Sequence, residues 1–227
     1  MKTIQTATFN KSLRWGRLLW CLFVTWYFIN FSYNFFSSVI PDRDQIPIIF
    51  FILLILWMVI EYYFESPYFQ SGLVSYSNII KTFISFFFYL NGSYAIADYT
   101  FGHRTQLIKL YPFLNVFGLL LFSYGTFVRL NTLFELLFSK DKLYFNRNCY
   151  RYCRHPRLWG TFVQFLAIPM VFGSYPGIIL SSTLGLFLIY RQAQLEENFF
   201  LKEYKEQYQA YQLQTPFFIP FFRKKAI

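Results

Sequence analysis

The chain has 227 residues, 56% of them hydrophobic and only 14% charged, where a soluble domain carries about 25% charged residues. With 32 Phe and 19 Tyr, and several apolar runs near the roughly 20 residues that cross a bilayer, an ordinary soluble domain is excluded. The net charge of +10 is read as topology and headgroup attraction, not as a nucleic-acid footprint, because Lys and Arg in short loops mark the cytoplasmic side.

Basic residues Lys2, Lys11 and Arg14 precede a first apolar span over 15–36. That span is long and aromatic and lacks a small-residue cleavage site, so it reads as a retained anchor. A Pro41-Asp42-Arg43-Asp44 loop leads to a second span, 46–64, which ends at Glu61 and Glu65. Ser66-Pro67 and Ser71-Gly72 break the chain before a third span, 79–97. Asn91-Gly92-Ser93 inside it reads as a helix-packing element and not as a glycosylation site. A loop over 98–106 precedes a fourth span, 107–130.

The next segment, 139–157, holds Lys140, Lys142, Arg147, Arg151, Arg154 and Arg157. An apolar stretch of about 30 residues follows, interrupted by Gly173-Ser174-Tyr175-Pro176-Gly177. As one helix it would measure about 45 Å, too long for a core of about 30 Å. The turn cluster near its middle predicts a helical hairpin. Charge agrees: a returning hairpin leaves only Arg43, Arg104 and Lys109 of the 21 Lys and Arg opposite the basic side. Both termini are then cytoplasmic.

Beyond the hairpin, Glu197, Leu201, Tyr204, Tyr208 and Tyr211 recur at helical spacing. They predict an amphipathic helix ended by Thr215-Pro216. The expected fold is an all-α, polytopic membrane helical bundle: four spans, a C-terminal hairpin and this amphipathic helix. Two regions follow, 1–131 with the four spans and 132–227 with the chemistry.

Three Cys (Cys21, Cys149 and Cys153) form no even-numbered disulfide framework. With His103 and His155 they show no ligand spacing, so free thiols and no metal are expected. Singly, His155 is an ordinary histidine at a helix start, the arginines are topology signals, and Glu196-Glu197 are solvated carboxylates. Together they read differently. A returning hairpin brings Arg191 and Glu196-Glu197 beside Arg154-His155-Pro156, pairing ionisable groups that are costly alone at a membrane boundary. Such a pocket suits a water-soluble reagent meeting a lipid-anchored one.

The run Tyr150-Arg151-Tyr152-Cys153-Arg154-His155-Pro156-Arg157-Leu158-Trp159-Gly160, with Arg191, Glu196-Glu197, the Tyr stripe and Thr215-Pro216 after the hairpin, resembles isoprenylcysteine carboxyl methyltransferases and related phospholipid methyltransferases. The resemblance covers about the last 80 residues. It implies a site for S-adenosylmethionine, released as S-adenosylhomocysteine, held by Tyr150, Arg154, His155, Pro156, Trp159, Gly160 and Glu197. It assigns Arg191 and Glu196 to catalysis at the acceptor, Arg191 binding an acceptor carboxylate and Glu196 orienting Arg191 or the acceptor. The implied partners are membrane lipids and a lipidic or prenylated small acceptor. Phospholipid N-methylation and a non-catalytic scaffold are the rival readings. Three positions depart from the family pattern: Leu158 replaces the usual Tyr, Asn148 an upstream Gly, and Lys205 a Gly after Tyr204.

Overall fold

The computed structural model describes residues 45–65, 78–102, 106–138 and 148–218, with Leu22, Phe23, Thr25, Trp26 and Ile29 in helical conformation. The rest of the first span, the 41–44 loop, the breaks at 66–72, His103, the basic residues Lys140, Lys142 and Arg147, and the tail beyond Phe218 lie outside these residues. The chain divides into Met1–Val59 and Ile60–Ile227. Helix α1 (Gln45–Glu65) begins in the first unit, where Phe50 and Phe51 are fully buried. Everything that follows belongs to the second.

There, α2 (Asn78–Ala97) runs on into a π-helical turn, Asp98–Gly102. Helix α3 spans Phe113–Phe138, α4 is the short Asn148–Tyr152, and α5 is Pro156–Val171. Helix α6 (Tyr175–Leu180) passes through a π turn, Ser181–Gly185, into α7 (Leu186–Gln214). The described residues contain no strand, only an isolated bridge between Gln106 and Ser174. Helix α3 runs unbroken through Asn131-Thr132.

Two of the described elements are long and apolar enough to cross a membrane, Phe113–Glu135 and Tyr175–Gln214. The expected count of four spans is not confirmed among the described residues. Lys81 and the Asn and Ser residues of α2 dilute its apolar character, and the first span lies largely outside the description.

The surface of α3 is the reverse of a soluble helix. Phe113, Phe117, Leu120, Tyr124 and Phe127 are exposed at helical spacing, each by 47% or more. Asn115, Gly118, Phe122, Gly125, Arg129 and Thr132 form the opposite, inward seam at intervals of three and four. Apolar outside and small or polar inside suits hydrocarbon as solvent. A Cβ on Gly125 would lie 2.8 Å from the Gly160 carbonyl oxygen, and one on Gly118 2.6 Å from the Val171 nitrogen. These two glycines, seven apart, let α3 and α5 pack backbone to backbone.

Helices α5 and α6–α7 form the expected hairpin. Gly173 (φ +69°) makes the turn, its carbonyl accepting from Leu107 N–H at 2.8 Å, while Ser174 N–H closes on Pro169 O at 2.8 Å. Asn91 is buried and donates to Ser181 Oγ at 2.8 Å. Ser181 in turn donates to Phe165 O at 2.6 Å. This places Asn91 in helix packing, as the Asn-Gly-Ser segment was read, and holds the π turn against α2.

The amphipathic stripe is also present, with Tyr208 and Tyr211 buried and Lys202, Glu203, Glu206 and Gln209 exposed. It is not straight. Lys205 has φ 40° and ψ −115°, which kinks α7. That conformation is open to glycine and costs an L side chain of order 1–3 kcal/mol. Lys205→Gly should therefore raise the unfolding temperature in a detergent thermal-shift assay, although glycine normally weakens a helix. A lower temperature would show that the kink carries no strain.

Candidate functional site

The site is built where α5 begins and α7 comes back. Pro156 opens α5 at its first position, where a missing N–H is harmless, and leaves His155 as the residue before the helix (φ −126°, ψ 58°). Trp159 N–H donates to His155 O at 2.9 Å, so the His155 backbone is tied to the first helical turn. Its ring is buried, with Nδ1 3.3 Å from Glu196 Oε2 and Nε2 3.3 Å from Glu197 Oε1. Arg154 Nη1 reaches the same Glu197 oxygen at 2.7 Å. Gln192, one turn before Glu196 and fully buried, donates Nε2 to Glu196 Oε1 at 2.8 Å.

Aromatic residues wall this charge cluster. The Arg154 guanidinium carbon lies 5.1 Å from the Phe217 ring centre, and His155 meets Phe217 and Phe218 edge-on at 5.1 and 6.0 Å. The C-terminal segment is tied in by Arg154 N–H to Pro216 O at 3.0 Å and by Tyr211 Oη donating to Tyr150 O at 2.6 Å. Phe200 stacks near Tyr208 at 5.3 Å across the Lys205 kink.

Burial, the largest influence on His155, opposes its charged form. Hydrogen bonds and charge from Glu196 and Glu197 outweigh burial, and its pKa lies above the ordinary imidazole value. A raised folded-state pKa gives stability that is complete below the unfolded value of about 6.5 and is lost as pH climbs through the folded one. Burial, followed by the charge of Glu196, pushes the Tyr150 phenol up. Cys149 and Cys153 are free thiols. Burial raises Cys153 to about 12 and Cys149 to about 11, so both stay protonated and poorly nucleophilic.

The structure thus gathers Tyr150, Arg154, His155, Glu196 and Glu197, with Pro156 setting the helix start. Trp159 packs on Phe162 at 5.8 Å, and its buried Nε1 finds no acceptor among the described residues. Two expected positions fall elsewhere. Gly160 faces α3, where a Cβ would sit 2.8 Å from Arg129 Cγ. Arg191 is exposed and bonds Gln194 on its own helix at 3.1 Å, while Glu196 is engaged by His155 and Gln192. Five residues at 3.6 per turn put Arg191 and Glu196 about 140° apart around α7. Glu196 therefore does not orient Arg191.

Sequence reading passed over Gln192, although its i,i+4 spacing to Glu196 is a usable signal. It also passed over Lys81 on α2, whose ammonium is within electrostatic range of Glu196. A lone lysine inside an apolar span was the available clue.

Residues 113–207 match the family model described as phospholipid methyltransferase. This segment belongs to the isoprenylcysteine/phospholipid methyltransferase family. The matched segment takes in α3 to α7 as far as the buried Tyr stripe, and with it Arg154, His155, Glu196 and Glu197. Lys81 and the Phe217–Phe218 wall lie beyond its ends. None of the curated proteins searched matches the chain.

Proposed function

We propose that the protein is a multi-pass membrane methyltransferase that uses S-adenosylmethionine and acts on a lipid-anchored acceptor, with both termini cytoplasmic. The observation that supports this best is His155 bridging Glu196 and Glu197 with Arg154 on the same carboxylate, at the open end of a membrane hairpin. The donor set fits the cofactor's chemistry. Glu197 suits its positive charges, Arg154 its carboxylate, and Phe217 and Phe218 its purine. Buried donors at Arg154 Nε and Trp159 Nε1 have no acceptor of their own among the described residues. Tyr150, His155 and Pro156 complete the set that would hold it, while Gly160 supports them by letting α3 approach.

Bound there, S-adenosylmethionine would supply an electrophilic methyl group on a sulfonium, an already reactive leaving group. The remaining work falls to alignment and water exclusion. The hairpin sets His155, at the start of α5, beside Glu196 on α7, and Phe217 and Phe218 wall the imidazole. Glu196 is placed to take the proton of an amine acceptor, which must attack as the neutral base. Arg191, on the exposed face of the hairpin, is placed to meet an anionic group arriving from the bilayer. Its distance around the helix from Glu196 favours an amine acceptor, as in phospholipid N-methylation. Isoprenylcysteine-type O-methylation is the second reading, favoured by the match of both sequence motifs.

Calorimetric titration of S-adenosylhomocysteine into detergent-purified protein tests the cofactor. Micromolar binding that disappears in Glu197→Ala is expected; no binding by folded wild-type protein would overturn the proposal. Transfer of labelled methyl to phosphatidylethanolamine vesicles, against a farnesylcysteine analogue, then separates the two acceptors.

A further inference from the structure

A second ionic cluster lies on the other side of α5. Glu61 is 7% exposed and sits at the end of α1's apolar run. Arg129 of α3 grips its carboxylate through Nε at 3.0 Å and through Nη2. The same guanidinium donates from Nη1 to Thr161 Oγ1, and Thr161 donates onward to the Arg157 carbonyl at 3.0 Å. Arg157 Nη2 stands 4.0 Å from Glu61. The stem of Arg129 crosses α5 at Gly160, which has no side chain to obstruct it.

Packing alone does not call for this arrangement. A buried ion pair is often no more stabilising than apolar residues of the same volume, and ionisable groups between membrane helices are costly. What it provides is direction. Its three contacts on α5, at Arg157, Gly160 and Thr161, fall within the first turn and a half of the helix. That is the stretch which carries His155 at its start.

We propose that Arg129, held by Glu61, is a positioning residue for the candidate site, fixing the rotation of the first turn of α5 so that His155 stays between Glu196 and Glu197. The inference rests on reading that cluster as the functional site. Arg129 acts through α5, whereas the groups that face the imidazole are Glu196 and Glu197 from α7, Arg154 beside it, and Phe217 and Phe218. Lys81 from α2 and Tyr208 lie further out, in the field of the two carboxylates. A small rotation of the helix start lengthens both His155 contacts at once, because they leave opposite edges of one ring.

The test is the titration of His155, followed by NMR in protein labelled at histidine and carrying His103→Asn to leave a single imidazole. It uses the full chain without cofactor, so it succeeds or fails independently of methyl transfer. In Arg129→Met the His155 pKa should fall toward the ordinary imidazole value of about 6.5. Arg129→Lys, which keeps the charge but not the fork, should fall between that variant and wild type. Thr161→Val, a milder change, should shift it in the same direction and serves if Arg129→Met does not fold. A folded Arg129→Met or Thr161→Val that melts earlier but titrates like wild type would show a merely structural bridge and overturn the proposal.

Discussion

His155→Ala is expected to weaken binding of S-adenosylhomocysteine by about a hundredfold or more. The imidazole touches both Glu196 and Glu197. Without it, the two carboxylates keep Arg154 on Glu197 and Gln192 on Glu196, with Lys81 in electrostatic range of Glu196. Breaking a buried charge network by removing one partner costs about 3–5 kcal/mol, and each 1.4 kcal/mol is about tenfold in affinity. The variant should also lose the alkaline decline in melting temperature. In wild type, stability from the imidazolium fades as pH rises through its raised pKa; alanine has no proton to lose. Calorimetry and a thermal-shift series from pH 6 upward check both parts. Unchanged affinity in a folded variant would remove His155 from the cofactor site.

Gly125→Val should damage folding more than any lipid-facing change of similar size. Its Cβ position already lies 2.8 Å from Gly160 O and 3.0 Å from Gln164 Cγ. The obstacle is backbone, which cannot rotate away, so the two helices must separate. Overpacking of this kind costs about 1–3 kcal/mol or more. It would also break Gln164 Nε2 to Thr126 Oγ1 (2.9 Å) and pull Arg129 off Thr161. A drop in melting temperature and loss of monodisperse protein in detergent are expected. Leu120→Val, at a position 63% exposed on the outer face, should behave like wild type. Equal behaviour of the two variants would mean that α3 and α5 do not pack through glycine.

Both substitutions turn on a seam whose ends were unequally visible beforehand. The hairpin was legible because its signals are local. Gly173 and Pro176 mark the turn wherever the helices lie. The Tyr stripe was legible because 3.6 residues per turn maps spacing onto a face. The Lys205 departure was visible as a residue type, though only φ 40° shows why glycine suits that position.

Sequence alone therefore determined the helical class, the membrane as solvent, the returning hairpin and the meeting of Arg154-His155 with Glu196-Glu197. Tertiary structure decided the rest, because rotation about a helix axis is set by its neighbours. That rotation turns Arg191 outward while Gln192 points in, and gives Gly160 to α3. It also joins Glu61 to Arg129 across 68 residues of chain. A contact at that separation depends on how three helices pack, and no spacing within any one of them encodes it.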